Sequence, residues 1–258
     1  LCVIMIWGGT FVNTRLLIDK WLLPEEIFVL RTVVAYFCIW FISPKKVFSN
    51  SVKDELIMVL LGIFGSSLYF LTENYALKLA VVNDVSFIVC TAPLITLILA
   101  LFFFKSVKAS VPVVVGSLLA LAGVGIVIFN GHFVLHLDPL GDFLALAAAT
   151  SWAIYSLVMK NFSARYSSVF ITRKVFFYGL ITIMPVFAVH PWSFAFEDLL
   201  NPSIGLNLLY LSVIASFVCF AAWSWVISHL GALRASNYIY FNPVTTVIMS
   251  ELVLYEHM

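Results

Sequence analysis

The sequence predicts an all-α polytopic membrane protein built from two inverted five-helix repeats. Three observations carry that expectation. Hydrophobic residues make up 63% of the chain and charged ones 10%, against about 45–50% and about 25% in soluble domains, which need a charged exterior. Apolar runs of about 20 residues recur, the length of a helix crossing a hydrocarbon core of about 30 Å. Barrel strands would be about 10 residues long and alternate in polarity. Third, the two halves of the sequence echo one another.

Charged residues, Pro and Gly punctuate the chain into nine spans, at about 1–17, 26–43, 56–77, 84–104, 111–129, 140–159, 170–189, 205–229 and 235–254. Span 1 starts with Leu inside an apolar run, so the chain reads as trimmed there rather than as following a cleaved leader. It carries Trp7 and Arg15. Arg31 and Arg173 begin spans 2 and 7 near opposite faces of the membrane, and interfacial anchoring is their default role. Anionic substrate contact is the alternative.

Span 3 contains "YFLTENYALK", a carboxylate and an amide inside an apolar run. Gly62, Ser66, Tyr69 and Glu73 follow at spacings of four, three and four, one stripe of a helix. A polar stripe in a membrane faces other helices or a wet cavity. Glu73 is expected to bind a proton, a substrate ammonium or a neighbouring cation; pairing with Lys78 is the structural alternative. Asn74 points elsewhere and suits an interhelical hydrogen bond.

Span 4 holds Pro93 and span 9 holds Pro243, each freeing a carbonyl from the helix ladder, so both are hinge candidates. In span 5, Gly116, Ala120 and Gly123 form a small-residue packing surface. Span 6 carries Trp152 and Tyr155; deep aromatics of this kind, like Trp7, pack or stack on a flat solute. In span 9, Tyr238, Asn242 and Thr246 share one face, and Ser236, Tyr240 and Pro243 another. Spacing leaves open which of them meets a cavity.

The repeat lies in matched pairs. Trp7 and Arg15 recur as Trp152 and Lys160 at an offset of 145 (152 − 7 and 160 − 15), and Arg31 and Tyr36 recur as Arg173 and Tyr178 at 142. "TAPLIT" recurs as "FNPVTT". The repeat units are 1–139 and 140–258, and a tenth span is expected beyond "LVLYEHM". Five helices per unit is odd, so the second copy enters the membrane upside down.

Basic residues test the same geometry. Of 14 Lys and Arg, ten lie in or beside loops after even spans: Lys45, Lys46, Lys53, Lys105, Lys108, Lys160, Arg165, Arg173, Lys174 and Arg234. Only Arg15, Lys20, Arg31 and Lys78 lie on the other side. The positive-inside rule puts the amino terminus in the cytoplasm, in a cytoplasmic (inner) membrane.

Other classes find little support. Net charge is +1, which offers nothing to nucleic acid. Cys2, Cys38, Cys90 and Cys219 lie within apolar runs and read as small core residues. His132 and His136 sit in a short loop without further ligands, so no metal or cofactor is expected. An intramembrane enzyme would need a convergent catalytic set, whereas Glu73, Glu251 and His229 are scattered. A non-transporting scaffold is the remaining alternative.

"WGGTFVNTR", "NYALKLAVVNDVSFIVCTAPLI", "GSLLALAGVGIVIF" and "NPVTTVIMSELVLYEHM" resemble the drug/metabolite transporter superfamily, specifically its EamA-type members. Members show a Gly-Glu pair 12 and 13 residues after the helix-breaking Pro. Glu256 fits (256 − 243 = 13) with Tyr255 in place of Gly, while Lys105 and Ser106 stand there in the first half. The resemblance implies ten helices around a central cavity lined by all spans except 5 and 10. It does not identify a substrate, because the family carries many small organic solutes. The inverted repeat with polar groups at its interface predicts a secondary transporter exporting a small organic metabolite, amino-acid-like or other, with Glu73 as the candidate for proton coupling. Uptake of a sugar, nucleoside or other nutrient is the alternative. Candidate contacts are Glu73, Tyr69, Ser66, Trp7, Trp152, Tyr155, Tyr238 and Asn242.

Overall fold

The computed structural model describes residues 1–42, 47–103, 111–129 and 138–254. Lys45, Lys46, Lys105, Ser106, Lys108, His132, His136, Tyr255 and Glu256 lie outside them. The described residues form nine helical rods: α1 Cys2–Ile18, α2 Pro24–Ile42, α3 Val52–Leu79, α4 Val82–Phe103, α5 Val111–Phe129, α6 Pro139–Phe162, α7 Ser168–Ala188, α8 Pro202–Leu230 and α9, residues 232–253. Five of these, α3, α4, α6, α7 and α8, contain segments long and apolar enough to cross a membrane by length and composition.

Local chemistry sets the ends. The Ser51 hydroxyl accepts from Asp54 N at 3.1 Å and starts α3 four residues before the apolar run (56 − 52). Asp138 caps α6 through Leu140 N and Gly141 N, with Pro139 in the first turn. At the close of α1, Leu22 N bonds Leu17 O and Trp21 N bonds Ile18 O, a Schellman closure with Leu22 and Leu17 in one apolar cluster. Trp21 takes the left-handed position (φ 70°) usually given to Gly, and its side chain is 92% exposed. That places a large aromatic at a helix end, where membrane interfaces favour it.

Five of the rods are irregular, α7 only in its last turn, a 3₁₀ turn at Met184–Ala188. α3 has a π-turn at Ile63–Ser67 and α8 one at Tyr210–Val218. α4 breaks at Cys90–Thr91, just before Pro93, and α9 narrows to a 3₁₀ turn at Asn237–Phe241, just before Pro243. Both prolines thus sit in the first turn of a helical piece, where the missing N–H costs nothing. The breaks meet: the Cys90 thiol donates to Ile239 O at 3.3 Å.

Packing joins the halves pairwise. α1 packs on α9 and α8, α2 on α7 and α8, α3 on α6 and α7, and α4 on α6 and α9. Exchanging α1–α4 with α6–α9 maps this set of pairs onto itself. Glycines permit the closest approaches: a Cβ on Gly65 would lie 2.3 Å from the Tyr155 ring, and one on Gly8 2.5 Å from Asn242 O. α5 lies at the edge, against α4 and α9. The small-residue surface expected there is not a tight one, since Gly116 and Gly123 face open space. Instead a groove bounded by Ser117, Ala120, Tyr240 and Pro243 separates α5 from α9.

Candidate functional site

Where the halves meet, a chamber is walled by α1, α2, α3, α4, α6, α8 and α9. Its lining is aromatic with a few polar groups: Trp7, Phe70, Trp152 and Phe220 around Thr10, Arg31, Tyr69, Glu73 and Asn242. The matched tryptophans of the two halves stand edge to face, 5.2 Å between ring centroids. Tyr69 lies 5.0 Å from Trp152, and Trp223 5.3 Å from Trp7. Trp7 is fixed by its indole N–H, which donates to Ala215 O at 2.9 Å. Only about 20 Å³ is open to the centre of a water molecule, while one water needs about 10–15 Å³. The walls stand close enough to leave a water-sized space between them.

Two opposite charges share it. Arg31 of α2 is 1% exposed, its Nε donates to Ser216 Oγ at 2.9 Å, and its guanidinium lies 4.3 Å from the centre of the Phe70 ring. Glu73 of α3 is 2% exposed and stands one helical turn after Tyr69 in the chamber wall. Arg31 Nη1, Trp152 Nε1, Glu73 Oε2 and Asn242 Oδ1 have no hydrogen-bond partner. Buried polar atoms are usually paired, so these four in one wall leave donors and acceptors free to meet water or a solute.

The structure brings together six of the eight contact candidates: Trp7, Tyr69, Glu73, Trp152 and Asn242 in the wall, and Tyr155 behind it, 5.1 Å from Trp152. Ser66 is buried against Gly179 of α7 instead. The π-turn ending at Ser67 adds backbone to the helix and rotates Tyr69 and Glu73 away from the line through Gly62 and Ser66. Tyr238 is 42% exposed and outside the chamber, because the 3₁₀ turn advances its residues by 120° instead of 100°. Asn242 and Thr246 keep a shared face, where Thr246 Oγ1 donates to Gly8 O and accepts from Ser86 Oγ. Asn74 Nδ2 donates to Pro24 O, an interhelical bond. Lys78 is exposed beside the Tyr75 ring rather than paired with Glu73.

Arg31 corrects the interfacial reading. α2 begins at Pro24 instead of 26, which puts Arg31 two turns inside the bundle and in the chamber wall. Arg173 is buried as well, 4% exposed over Phe170. The available signal was an ionisable residue within a span, which by default points to function. Phe70, Phe220 and Trp223 carried no such signal, because an aromatic in an apolar run looks the same in a core. Among the described residues no three His, Cys, Asp or Glu side chains gather as a metal site would require.

Polar closures lie at both ends of the bundle. At the Pro24 end, the buried Glu25 accepts from the Tyr75 hydroxyl and lies 3.0 Å from His190 Nδ1. Glu26 accepts from Leu23 N, Ser193 N, Ser193 Oγ and Phe194 N, so it grips the segment after α7. At the Asp54 end, Glu55 pairs with Lys174 and Tyr178 and accepts from Ser49 N. Asp54 pairs with Arg165 at 3.2 Å and accepts from the Tyr166 hydroxyl at 2.7 Å. Burial, with the bond to Asp54, pushes the Tyr166 phenol above its ordinary value, so it stays a proton donor.

Against known proteins, the model of the EamA-like transporter family matches twice, over residues 1–129 and 139–258. An uncharacterized transporter of Archaeoglobus fulgidus is 24% identical over 98% of this chain and 86% of its own length. The uncharacterized transporter YdfC of Bacillus subtilis is 25% identical over 97% and 80%. A protein of Streptantibioticus cattleyicolor named a probable terminal-alkyne amino-acid exporter is 19% identical over 96% and 81%. A crystal structure matches 100% of this chain and 90% of its own with a TM-score of 0.67 at 17% identity, a likeness of fold.

Proposed function

The chain belongs to the EamA-like transporter family, and on that premise we propose a secondary transporter that exports a small organic metabolite across the cytoplasmic membrane by alternating access. The observation that carries this reading is the chamber, walled by both halves and furnished with Arg31 and Glu73, in a bundle whose two ends are joined by separable polar contacts. A structural core would satisfy its own charges. The packing pairs that map onto themselves when the halves are exchanged support two repeats, 1–139 and 140–258, related by inversion. The broken α4 and α9, with Pro93 and Pro243, supply the hinges. The loop charges support a cytoplasmic amino terminus, with the Pro24 end outside. The name of the Streptantibioticus relative supports export.

Protons supply the drive through Glu73, the buried carboxyl of the chamber. In proteoliposomes, Glu73→Gln abolishes the dependence of transport on an imposed pH gradient. Wild-type rates and pH response in that variant would remove Glu73 from coupling, and counterflow in oriented vesicles fixes the direction.

A further inference from the structure

We propose that the seam between α2 and α7 at the Asp54 end binds the phosphate headgroup of an anionic phospholipid, with Arg173 and Lys174 as its cations. The site lies outside the chamber and asks only that the chain sit in a bilayer, so it stands apart from the transport reading.

Arg173 is the repeat counterpart of Arg31, yet it does not line the chamber. It lines a separate pocket together with Lys174 and Phe177 of α7, Tyr36 and Trp40 of α2, and Phe48 just before α3. About 110 Å³ there is open to the centre of a water molecule, where one water needs about 10–15 Å³. A group of several heavy atoms fits. Both cations are 4% exposed, and cations so placed in a membrane bundle face protein, water or a ligand rather than acyl chains. Lys174 Nζ lies 5.2 Å from the centres of the Phe48 and Tyr178 rings, and the Arg173 guanidinium 5.5 Å from that of Phe170.

Charge selects the ligand. Among the described residues, the pocket and the adjoining closure carry three cations, Arg165, Arg173 and Lys174, against two carboxylates, Asp54 and Glu55, a balance of +1 (3 − 2). A phosphodiester brings one negative charge and matches the guanidinium fork. Lys174 offers three donors and Glu55 takes one of them, so one ammonium serves both the closure and a headgroup. The mouth of the pocket selects a lipid over free phosphate. Phe48 is 73% and Trp40 43% exposed, an apolar rim of the kind found at headgroup level, which acyl chains would cover and inorganic phosphate would not. Basic pockets between helices on the cytoplasmic side suit anionic headgroups, and in the proposed orientation this end lies on that side.

The test uses the purified full chain in mixed lipid–detergent micelles, with bound lipid counted by native mass spectrometry and Tm read in parallel. The probes are phosphatidylglycerol, phosphatidylcholine and inorganic phosphate. We expect phosphatidylglycerol to be retained about 10-fold over phosphatidylcholine, and inorganic phosphate to leave Tm unchanged. Arg173→Gln should erase the preference, while Arg234→Gln, at an exposed cation outside the pocket, should keep it. Should Arg173→Gln misfold, Trp40→Ala trims the exposed rim and is expected to lower phosphatidylglycerol retention at least about 3-fold. Equal retention of both lipids overturns the site, as does a preference unchanged in Arg173→Gln or, where that variant is used, in Trp40→Ala. Loss of the preference in Arg234→Gln as well reduces it to diffuse attraction by the basic face and overturns the site too. Inorganic phosphate raising Tm as phosphatidylglycerol does overturns the lipid assignment in favour of a soluble anion.

Discussion

At the Pro24 end of the bundle, carboxylates of α2 hold the segment that follows α7; at the Asp54 end, cationic and phenolic groups of α7 and of the turn before it hold the carboxylates that open α3. The two closures occupy equivalent places in the repeat and use different chemistry. The Asp54 end joins fixed charges, Lys174 to Glu55 and Arg165 to Asp54. The Pro24 end joins carboxylates to backbone N–H groups, a phenol and a histidine. One end therefore rests mainly on opposite charges, the other mainly on directional hydrogen bonds to two buried carboxylates.

Removing the fixed charge should break the comparison most sharply. Lys174→Met leaves Glu55, 20% exposed, without its cation. Loss of one partner of a buried pair costs about 3 kcal/mol, so Tm should fall by about 5–10 °C. Hydrogen exchange should rise at residues 47–60 and stay unchanged at 189–196; equal loss at both ends would mean that the closures act as one.

A smaller effect is expected from Glu26→Gln, which replaces a carboxylate bonded to four donors by an amide carrying donors of its own. About 1–3 kcal/mol is at stake, read as faster exchange at Ser193 and Phe194 alone. The least perturbing test is His190→Gln, which should speed exchange at residues 189–194 with Tm within about 1 °C of wild type, because the ring is half exposed. A larger fall in Tm would make the contact with Glu25 a main support of this end.

Much of the chamber could be read before the fold was known. Trp7, Tyr69, Glu73, Trp152 and Asn242 are polar or large groups where lipid-compatible residues would otherwise stand, and a chain this apolar makes such exceptions conspicuous. Ser66 and Tyr238 were chosen by ideal helical spacing, and both were displaced by a local change of helical pitch. Neither the π-turn at Ile63–Ser67 nor the 3₁₀ turn at Asn237–Phe241 has a reliable sequence signal. The closures were hidden for another reason. Glu25, Glu26, Asp54 and Glu55 flank their spans as any polar boundary does, and each has a partner more than 100 residues away.

What the sequence by itself determined is the medium and the outline: apolar runs of bilayer length, their number, the echo between halves, and the residues too polar to face lipid. These follow from solvation, a property each segment has alone. The tertiary structure decided which polar groups share a space, that Arg31 stands with Glu73 instead of at the interface, and how each end is sealed. Those facts depend on helix pitch and on contacts between halves, and pairing across such distances is settled only when both surfaces are in place.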